Sequence, residues 1–144
     1  MISVKKILQN KAQSGVCSVR PDDMVIDALN LMADCNIGAV VVMDGEELVG
    51  IFSERDYARK GIRQGRKAKS TPVSEVMTPK VFTVTPDMDI YDCMKLFSEK
   101  RFRHLPVMEE DKVAGVLSIG DVVSAIMKEQ SEHIQYLEQY ITNA

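Results

Sequence analysis

Two short segments of the chain carry residue types that could do chemistry. Residues 50–56 read GIFSERD and residues 115–121 read GVLSIGD, so in each an apolar run with a glycine leads into Ser-x-x-Asp. A carboxylate at this place can accept hydrogen bonds from the hydroxyl groups of a ribose. The serine and the N–H groups of a following helix can meet a phosphate. The two segments therefore indicate a paired nucleotide site.

The same spacing has a purely local explanation, the capping box. There the serine caps a helix and the acid three residues later reaches back to the serine N–H. Two features favour a ligand: a strand glycine, here Gly50 and Gly115, often marks a close approach, and aspartate is shorter than the usual Glu or Gln. The two roles do not exclude each other, and the sequence leaves both open.

The two segments belong to an internal duplication. A shift of 65 positions aligns residues 16–59 with 81–124 without a gap. Each copy has an extended run ending at proline, an amphipathic helix, two short apolar runs joined by an acidic turn, and a final helix. The pattern predicts β-α-β-β-α twice. Identical pairs include Pro21/Pro86, Asp22/Asp87, Gly50/Gly115, Ser53/Ser118 and Asp56/Asp121.

The duplication predicts an α+β fold in which two repeats pack about a pseudo-twofold axis. One copy of about 45 residues would be marginal alone, whereas two copies face to face bury both sheets. The predicted order along the chain is an N-terminal helix, a first repeat, a linker, a second repeat and a C-terminal helix: 1–15, 16–61, 62–80, 81–128 and 129–144. The last helix carries an apolar stripe that must pack on the body or on a second subunit.

Composition narrows the classes of function. The chain has 144 residues, of which 45% are hydrophobic, and no apolar run long enough for a membrane span. A net charge of -3 argues against nucleic acid as a partner. Three cysteines without a CxxC pair suit a reducing, cytoplasmic setting. Two histidines without ligand spacing predict no metal site.

The gapless tandem pair, each copy closing on G-h-h-S-x-x-D, resembles the CBS domain, named for cystathionine beta-synthase. The resemblance covers nearly the whole chain, including a linker that ends in VSEVMTP, and SERDYARK and RFRHLPV are similar to small stand-alone bacterial CBS-pair proteins. It implies a disc-like unit, often a homodimer, that binds adenine nucleotides in its clefts. AMP or NAD is expected before ATP, ADP or S-adenosylmethionine.

The resemblance also implies three groups of binding residues and no catalytic residue. The motif residues would hold ribose and phosphate: Ser53, Asp56, Ser118 and Asp121. The second-strand segments would contact the base: Gly38, Ala39, Val40, Arg103, His104, Leu105 and Pro106. The residues that open each copy would close the other side of the adenine: Val16, Cys17, Lys80 and Val81.

The two copies differ in their basic residues. Gly38 corresponds to Arg103, and Arg55 to Gly120, while residues 55–69 carry seven basic residues against one acid. This stretch could be a solvated helix face or a phosphate contact. Since arginine forks onto phosphate oxygens, the hypothesis is two inequivalent sites: Arg55 and the 59–69 stretch serve one phosphate, and Arg103 serves the other.

The leading interpretation is a regulatory module that senses adenine nucleotides, as in energy sensing. The second is a protein-interaction subunit with degenerate sites, whose C-terminal helix docks on an unknown regulated protein. An enzyme is not expected, because the sequence shows no arrangement of base, nucleophile and oxyanion donors.

Overall fold

The structure is a computed structural model that describes residues 2–11 and 16–142. Its fold consists of two α+β repeats. The elements of the first repeat, in chain order, are β1 (Ser18–Val19), α2 (Val25–Cys35), β2 (Ala39–Asp44), β3 (Glu47–Ser53), α3 (Glu54–Asp56) and a π-helix (Tyr57–Ile62). β1 runs parallel to β2, and β2 is antiparallel to β3. Gly45, with φ of +64°, makes the turn between them.

The second repeat follows the same order. Its elements are α4 (Ile90–Lys100), β4 (His104–Glu109), β5 (Lys112–Ser118) and α5 (Ile119–Thr142), with β4 antiparallel to β5. The first strand of this repeat is reduced to one parallel bridge between Val84 and Val107. The prediction of two repeats that mix helix and strand is confirmed.

The C-terminal helix predicted from residue 129 is not a separate element. It is the second half of α5, which runs unbroken from Ile119 to Thr142 because no proline or glycine follows Gly120 within it. Every residue from 131 to 142 is exposed. None of the helices in the described ranges is both long and apolar enough to span a membrane.

The segments that precede the two repeats are exchanged between their cores. Helix α1 (Val4–Asn10) places Val4 and Ile7 in the core of the second repeat. A 3-10 helix (Val73–Glu75) in the predicted linker contributes to the core of the first repeat. The main-chain contacts match: Val4 N donates to Met88 O at 2.9 Å, and Val73 N to Asp23 O at 2.8 Å. Each repeat is therefore completed by the segment that precedes the other repeat.

This exchange explains the paired strand glycines. A Cβ at Gly50 would lie 2.6 Å from the Met77 sulfur, and one at Gly115 would lie 2.9 Å from a methyl group of Leu8. The glycines make room for the exchanged segments. Chain packing therefore accounts for these two glycines, although their positions in the sequence favoured a ligand.

Candidate functional site

Both Ser-x-x-Asp motifs form capping boxes. Ser53 N donates to Asp56 Oδ2 at 3.0 Å, and Asp56 N donates to Ser53 Oγ at 3.1 Å. At the second motif, Ser118 N donates to Asp121 Oδ2 at 2.9 Å, and Asp121 N donates to Ser118 Oγ at 3.0 Å. The local explanation is thus correct for both motifs, and a ligand role must rest on what surrounds them.

Asp56 retains acceptor capacity beyond its cap. Its Oδ1 accepts from Thr78 Oγ1 at 3.3 Å and lies 3.9 Å from Lys60 Nζ. An ionised carboxylate has about four lone-pair sites. The side chain is 17% exposed and borders open space. Asp56 can therefore cap its helix and accept a ligand hydroxyl at once.

Asp56 lies in a groove of about 650 Å³ that both repeats line. The volume falls in the range of small-molecule sites. The second repeat contributes residues 101–104 to its wall. The predicted site residues that the structure brings together here are Gly38, Ser53, Arg55, Asp56, Arg103 and His104.

The groove has an excess of positive charge. Five cationic side chains line it against two carboxylates, Glu54 and Asp56. Arg59, then burial, then Arg103 lower the pKa of Arg55, while Asp56 opposes the shift. Within the described residues, the guanidinium groups that form no ion pair with a carboxylate include Arg55, Arg59, Arg101 and Arg103. This cluster suits a phosphate, which arginine binds through two parallel hydrogen bonds.

His104 lies next to Gly38 at the groove. A Cβ placed at Gly38 would be 3.5 Å from His104 Nε2. Burial is the main cause that lowers the pKa of this histidine, although Asp121 and Asp56 act in the opposite direction. The ring is therefore neutral near pH 7 and can offer one donor and one acceptor to a ligand.

Sequence reasoning did not identify several residues of this groove: Ile51, Glu54, Arg59 as an individual contact, Lys60, Thr78, Arg101 and Phe102. Thr78 belongs to the linker sequence VSEVMTP, which carries part of the family resemblance and could have indicated it. Arg101 is distinguished only by its backbone conformation in the structure, a left-handed φ of 58° at the end of α4.

The other predicted contacts do not line the groove. The side chains of the strand residues point into the body, where all are buried: Ala39, Val40, Leu105 and Pro106. Val16 and Val81 are half-buried, and Lys80 is exposed. Cys17 lies beside Cys35, whose hydrogen bond, followed by burial, raises the pKa of the Cys17 thiol to about 11. Of the segments between the repeats, the groove is lined by Thr78.

The second motif has a different environment. Lys11 Nζ donates to Asp121 Oδ2 at 3.0 Å and to Val116 O at 2.8 Å. Asp121 borders a smaller groove of about 360 Å³ between α1 and α5. Ser118 serves the capping box beside it. At the second motif, a lysine of the same chain takes the position beside the carboxylate.

The hypothesis assigns Arg55 and Arg103 to separate phosphates, whereas the structure places both on one groove. Arg55 and Arg103 face the same groove, and they are close enough for Arg103 to lower the pKa of Arg55. Of the basic stretch, Arg59 and Lys60 join this groove, whereas Arg66 pairs with Glu75 at 2.6 Å. The basic residues of both repeats therefore converge on one site.

Two β-α-β-β-α repeats, each ending in a strand that leads into Ser-x-x-Asp, define a tandem pair of CBS domains. The sequence model of the CBS domain matches residues 4–62 and 73–128. The chain belongs to the CBS domain family. Both matched ranges begin at the exchanged segments, earlier than the repeat boundaries predicted from the sequence.

Several relatives and solved structures that the chain resembles are named as CBS proteins. The chain is 42% identical over 147 residues to "CBS domain-containing protein CBSX3, mitochondrial" of Arabidopsis thaliana, covering 96% of this chain and 71% of that protein. A putative signal-transduction protein with CBS domains from Burkholderia ambifaria has a TM-score of 0.85 at 44% identity, covering 90% and 96% of the two chains. A Pyrobaculum aerophilum CBS protein complexed with AMP shares the fold, with a TM-score of 0.73 at 19% identity, covering 83% and 89% of the two chains.

Proposed function

We propose that this chain is a regulatory module that binds an adenine nucleotide, AMP or NAD, in the Asp56 groove. The observation that carries the proposal is the arginine cluster from both repeats beside the motif carboxylate. ADP, ATP and S-adenosylmethionine are less expected as ligands than AMP or NAD, as the family resemblance suggests. The Pyrobaculum protein, which shares the fold, is named for its AMP complex.

The residues fit the three parts of a nucleotide. Asp56 and Thr78 offer an acceptor and a hydroxyl to the ribose. Arg55, Arg59 and Arg103 offer paired donors to the phosphate. Ile51 and Phe102 provide apolar surface for the base. Each role belongs to a side chain that lines the same groove.

Binding in this groove would couple the repeats. Arg55 lies in the first repeat and Arg103 in the second, so one phosphate would replace repulsion between them with attraction to a common anion. A ligand shifts a conformational equilibrium only through its differential affinity for the two states. The two states would differ in the distance between Arg55 and Arg103. The module would report nucleotide occupancy to a regulated protein as a change in the position of one repeat against the other.

The first expected result concerns thermal stability. AMP at about one hundred times its dissociation constant should stabilise the fold by about 2.7 kcal/mol, a rise in Tm of roughly 6–12 °C for a chain of this size. Adenosine should give a much smaller shift, because it cannot engage the arginines. Differential scanning fluorimetry with AMP, NAD, ATP, ADP, S-adenosylmethionine and adenosine measures the series.

A matched pair of variants tests the site. Arg55→Gln and Arg103→Gln should each reduce the AMP shift, whereas Arg63→Gln should not. Arg63 is an exposed residue of the same basic stretch outside the groove. No shift with any nucleotide up to millimolar concentration, or an equal loss in Arg63→Gln, would contradict the proposal.

The second expected result is a stoichiometry of one nucleotide per chain. Lys11 donates to Asp121 Oδ2, and the position that corresponds to Arg55 in the second motif is Gly120, which carries no charge. A nucleotide bound at the second motif would have to share the Asp121 carboxylate with Lys11 and would find no arginine at the position of Arg55. Isothermal titration calorimetry with AMP gives the number directly, and a value of two would show that Lys11 is displaced.

A second candidate function, a protein-interaction subunit without nucleotide, has one supporting observation, the occupied carboxylate of Asp121. It would require the Asp56 groove to stay empty as well, so the thermal series separates the two functions. For either function we propose a non-enzymatic role in the cytoplasm. Free thiols at Cys17, Cys35 and Cys93 are compatible with that compartment.

A further inference from the structure

The groove between α1 and α5 continues well beyond the second motif. Its α5 wall runs from Asp121 to Glu132, which is about 16 Å of helix. Lys11, at the end of α1, bonds to Asp121 at the motif, whereas Ile2, before the start of α1, lines the same groove. The α1 wall therefore leads away from the motif. The groove residues other than those at the motif include a cluster that we call the far end: Lys6, Ile7, Ala125, Lys128, Glu129 and Glu132.

The charged side chains of the far end form no ion pairs within the described residues. Lys6 projects from α1, and Lys128, Glu129 and Glu132 project from α5. The ion pairs of the described chain involve other residues. The far end thus presents two ammonium groups and two carboxylates to one groove. A ligand with a single sign of charge would be attracted by one pair and repelled by the other, whereas a zwitterion can meet both.

Glu129 carries the most specific signal of this cluster. Its Oε2 is buried and has no hydrogen-bond partner among the described residues. A buried polar atom without a partner costs free energy, the more so when it belongs to a charged group. Such atoms are rare in native structures. A ligand ammonium group, which has three N–H donors and no acceptor, would supply the missing partner.

Apolar surface lies among the charged groups of the far end. Ile7 is buried and Ala125 is half-buried, and both line the groove. The whole groove has a volume of about 360 Å³, at the lower end of the range of small-molecule sites. A short aliphatic group fits this surface, because its burial removes apolar area from water.

We propose that the far end binds a free amino acid with an aliphatic side chain. Its ammonium group would donate to Glu129, and its carboxylate would accept from Lys6 and Lys128. Its side chain would pack on Ile7 and Ala125. The site uses neither the Asp56 groove nor the capping boxes, so it does not rest on nucleotide binding.

Calorimetric titration of the full chain with valine, isoleucine, leucine and methionine tests the ligand class. We expect at least one of them, leucine first, to bind with a stoichiometry of one per chain. Two compounds each lack one charge of leucine: isoamylamine has no carboxylate, and isocaproic acid has no ammonium group. Each should bind about tenfold more weakly or worse, since a hydrogen bond to a charged group is lost.

Two outcomes of these titrations would overturn the proposal. One is the absence of binding by all four amino acids up to about 10 mM, where a site with a Kd near 1 mM would be mostly filled. The other is isoamylamine or isocaproic acid binding as tightly as leucine, which would show a site for one charge only. The titrations contain no nucleotide, so their failure is independent of the outcome with AMP.

A pair of α5 variants tests the position of the site. Glu129→Gln keeps the shape of the side chain but removes its charge, and it should weaken leucine binding about tenfold or more. Glu138→Gln is the matched control, because Glu138 is exposed on the same helix and lies outside the groove. An unchanged affinity in Glu129→Gln, or an equal loss in Glu138→Gln, would overturn the proposal.

A pair of α1 variants repeats the test at exposed positions, where the fold is not at risk. Lys6→Gln should weaken leucine binding, whereas Lys5→Gln should not, because Lys5 is the neighbouring exposed lysine and does not line the groove. Circular dichroism verifies that all four variants are folded. Leucine binding that is equally strong in Lys6→Gln and Lys5→Gln would exclude α1 as a wall of the site and overturn the proposal.

Discussion

Replacing Asp56 with asparagine is expected to weaken AMP binding about tenfold to a hundredfold. A hydrogen bond to a charged group contributes roughly 1.5–3 kcal/mol, and asparagine removes the charge while keeping an oxygen that can still serve the helix cap. Asp56 is the carboxylate that borders the arginine-lined groove. Isothermal titration calorimetry of AMP against wild type and variant measures the loss.

Asp121→Asn is the matched control in the same molecule. Asp121 forms the same capping box, at nearly the same distances, but its carboxylate is bound by Lys11. The substitution should change AMP affinity by less than about twofold, although it costs a similar cap. An equal loss of affinity in the two variants would mean that both motifs hold nucleotide, and a loss in Asp121→Asn alone would place the site at the second motif.

Replacing Val4 with alanine is expected to destabilise the fold by about 2 kcal/mol, although Val4 lies close to the start of the chain. Val4 is fully buried in the core of the second repeat, and the substitution removes two methyl groups and leaves a cavity. Val73→Ala removes the equivalent side chain from the first repeat and should cost a similar amount. Urea denaturation followed by circular dichroism gives both values.

Lys5→Ala is the control on the same helix. Lys5 is exposed, and only its main-chain N–H, donated to Pro86 O at 2.8 Å, takes part in the exchanged contact. Its replacement should change stability by less than about 0.5 kcal/mol. If Val4→Ala were as mild as Lys5→Ala, α1 would be an appendage rather than a part of the core.

The sequence predicts the repeats well because local rules determine most of them. The two short apolar runs, the helix periods and the Ser-x-x-Asp caps recur at a constant shift of 65 positions. The segments before residue 16 escaped this comparison, because Val4 corresponds to Val73 at a shift of 69. A comparison without gaps therefore ends where the spacing changes, and it describes the exchanged segments as a separate helix and a linker.

The site is less predictable, because its asymmetry arises from contacts distant in sequence. Two similar motifs suggest two similar sites, but Lys11 reaches Asp121 across 110 positions, and no local pattern signals such a contact. The difference between Gly38 and Arg103 is visible in the sequence. Only the packing of the repeats shows that Arg103 turns toward the groove of the other repeat and joins Arg55 there.

The traded segments also bear on what a half-length polypeptide could do. A chain that contained only one repeat and its own leading segment would carry a segment that packs in the core of the other repeat. Its own core would lack the segment that completes it. Two such halves could each fill the other, which is how swapped dimers form. The tandem arrangement allows this reciprocal packing within a single polypeptide, so that it does not depend on protein concentration.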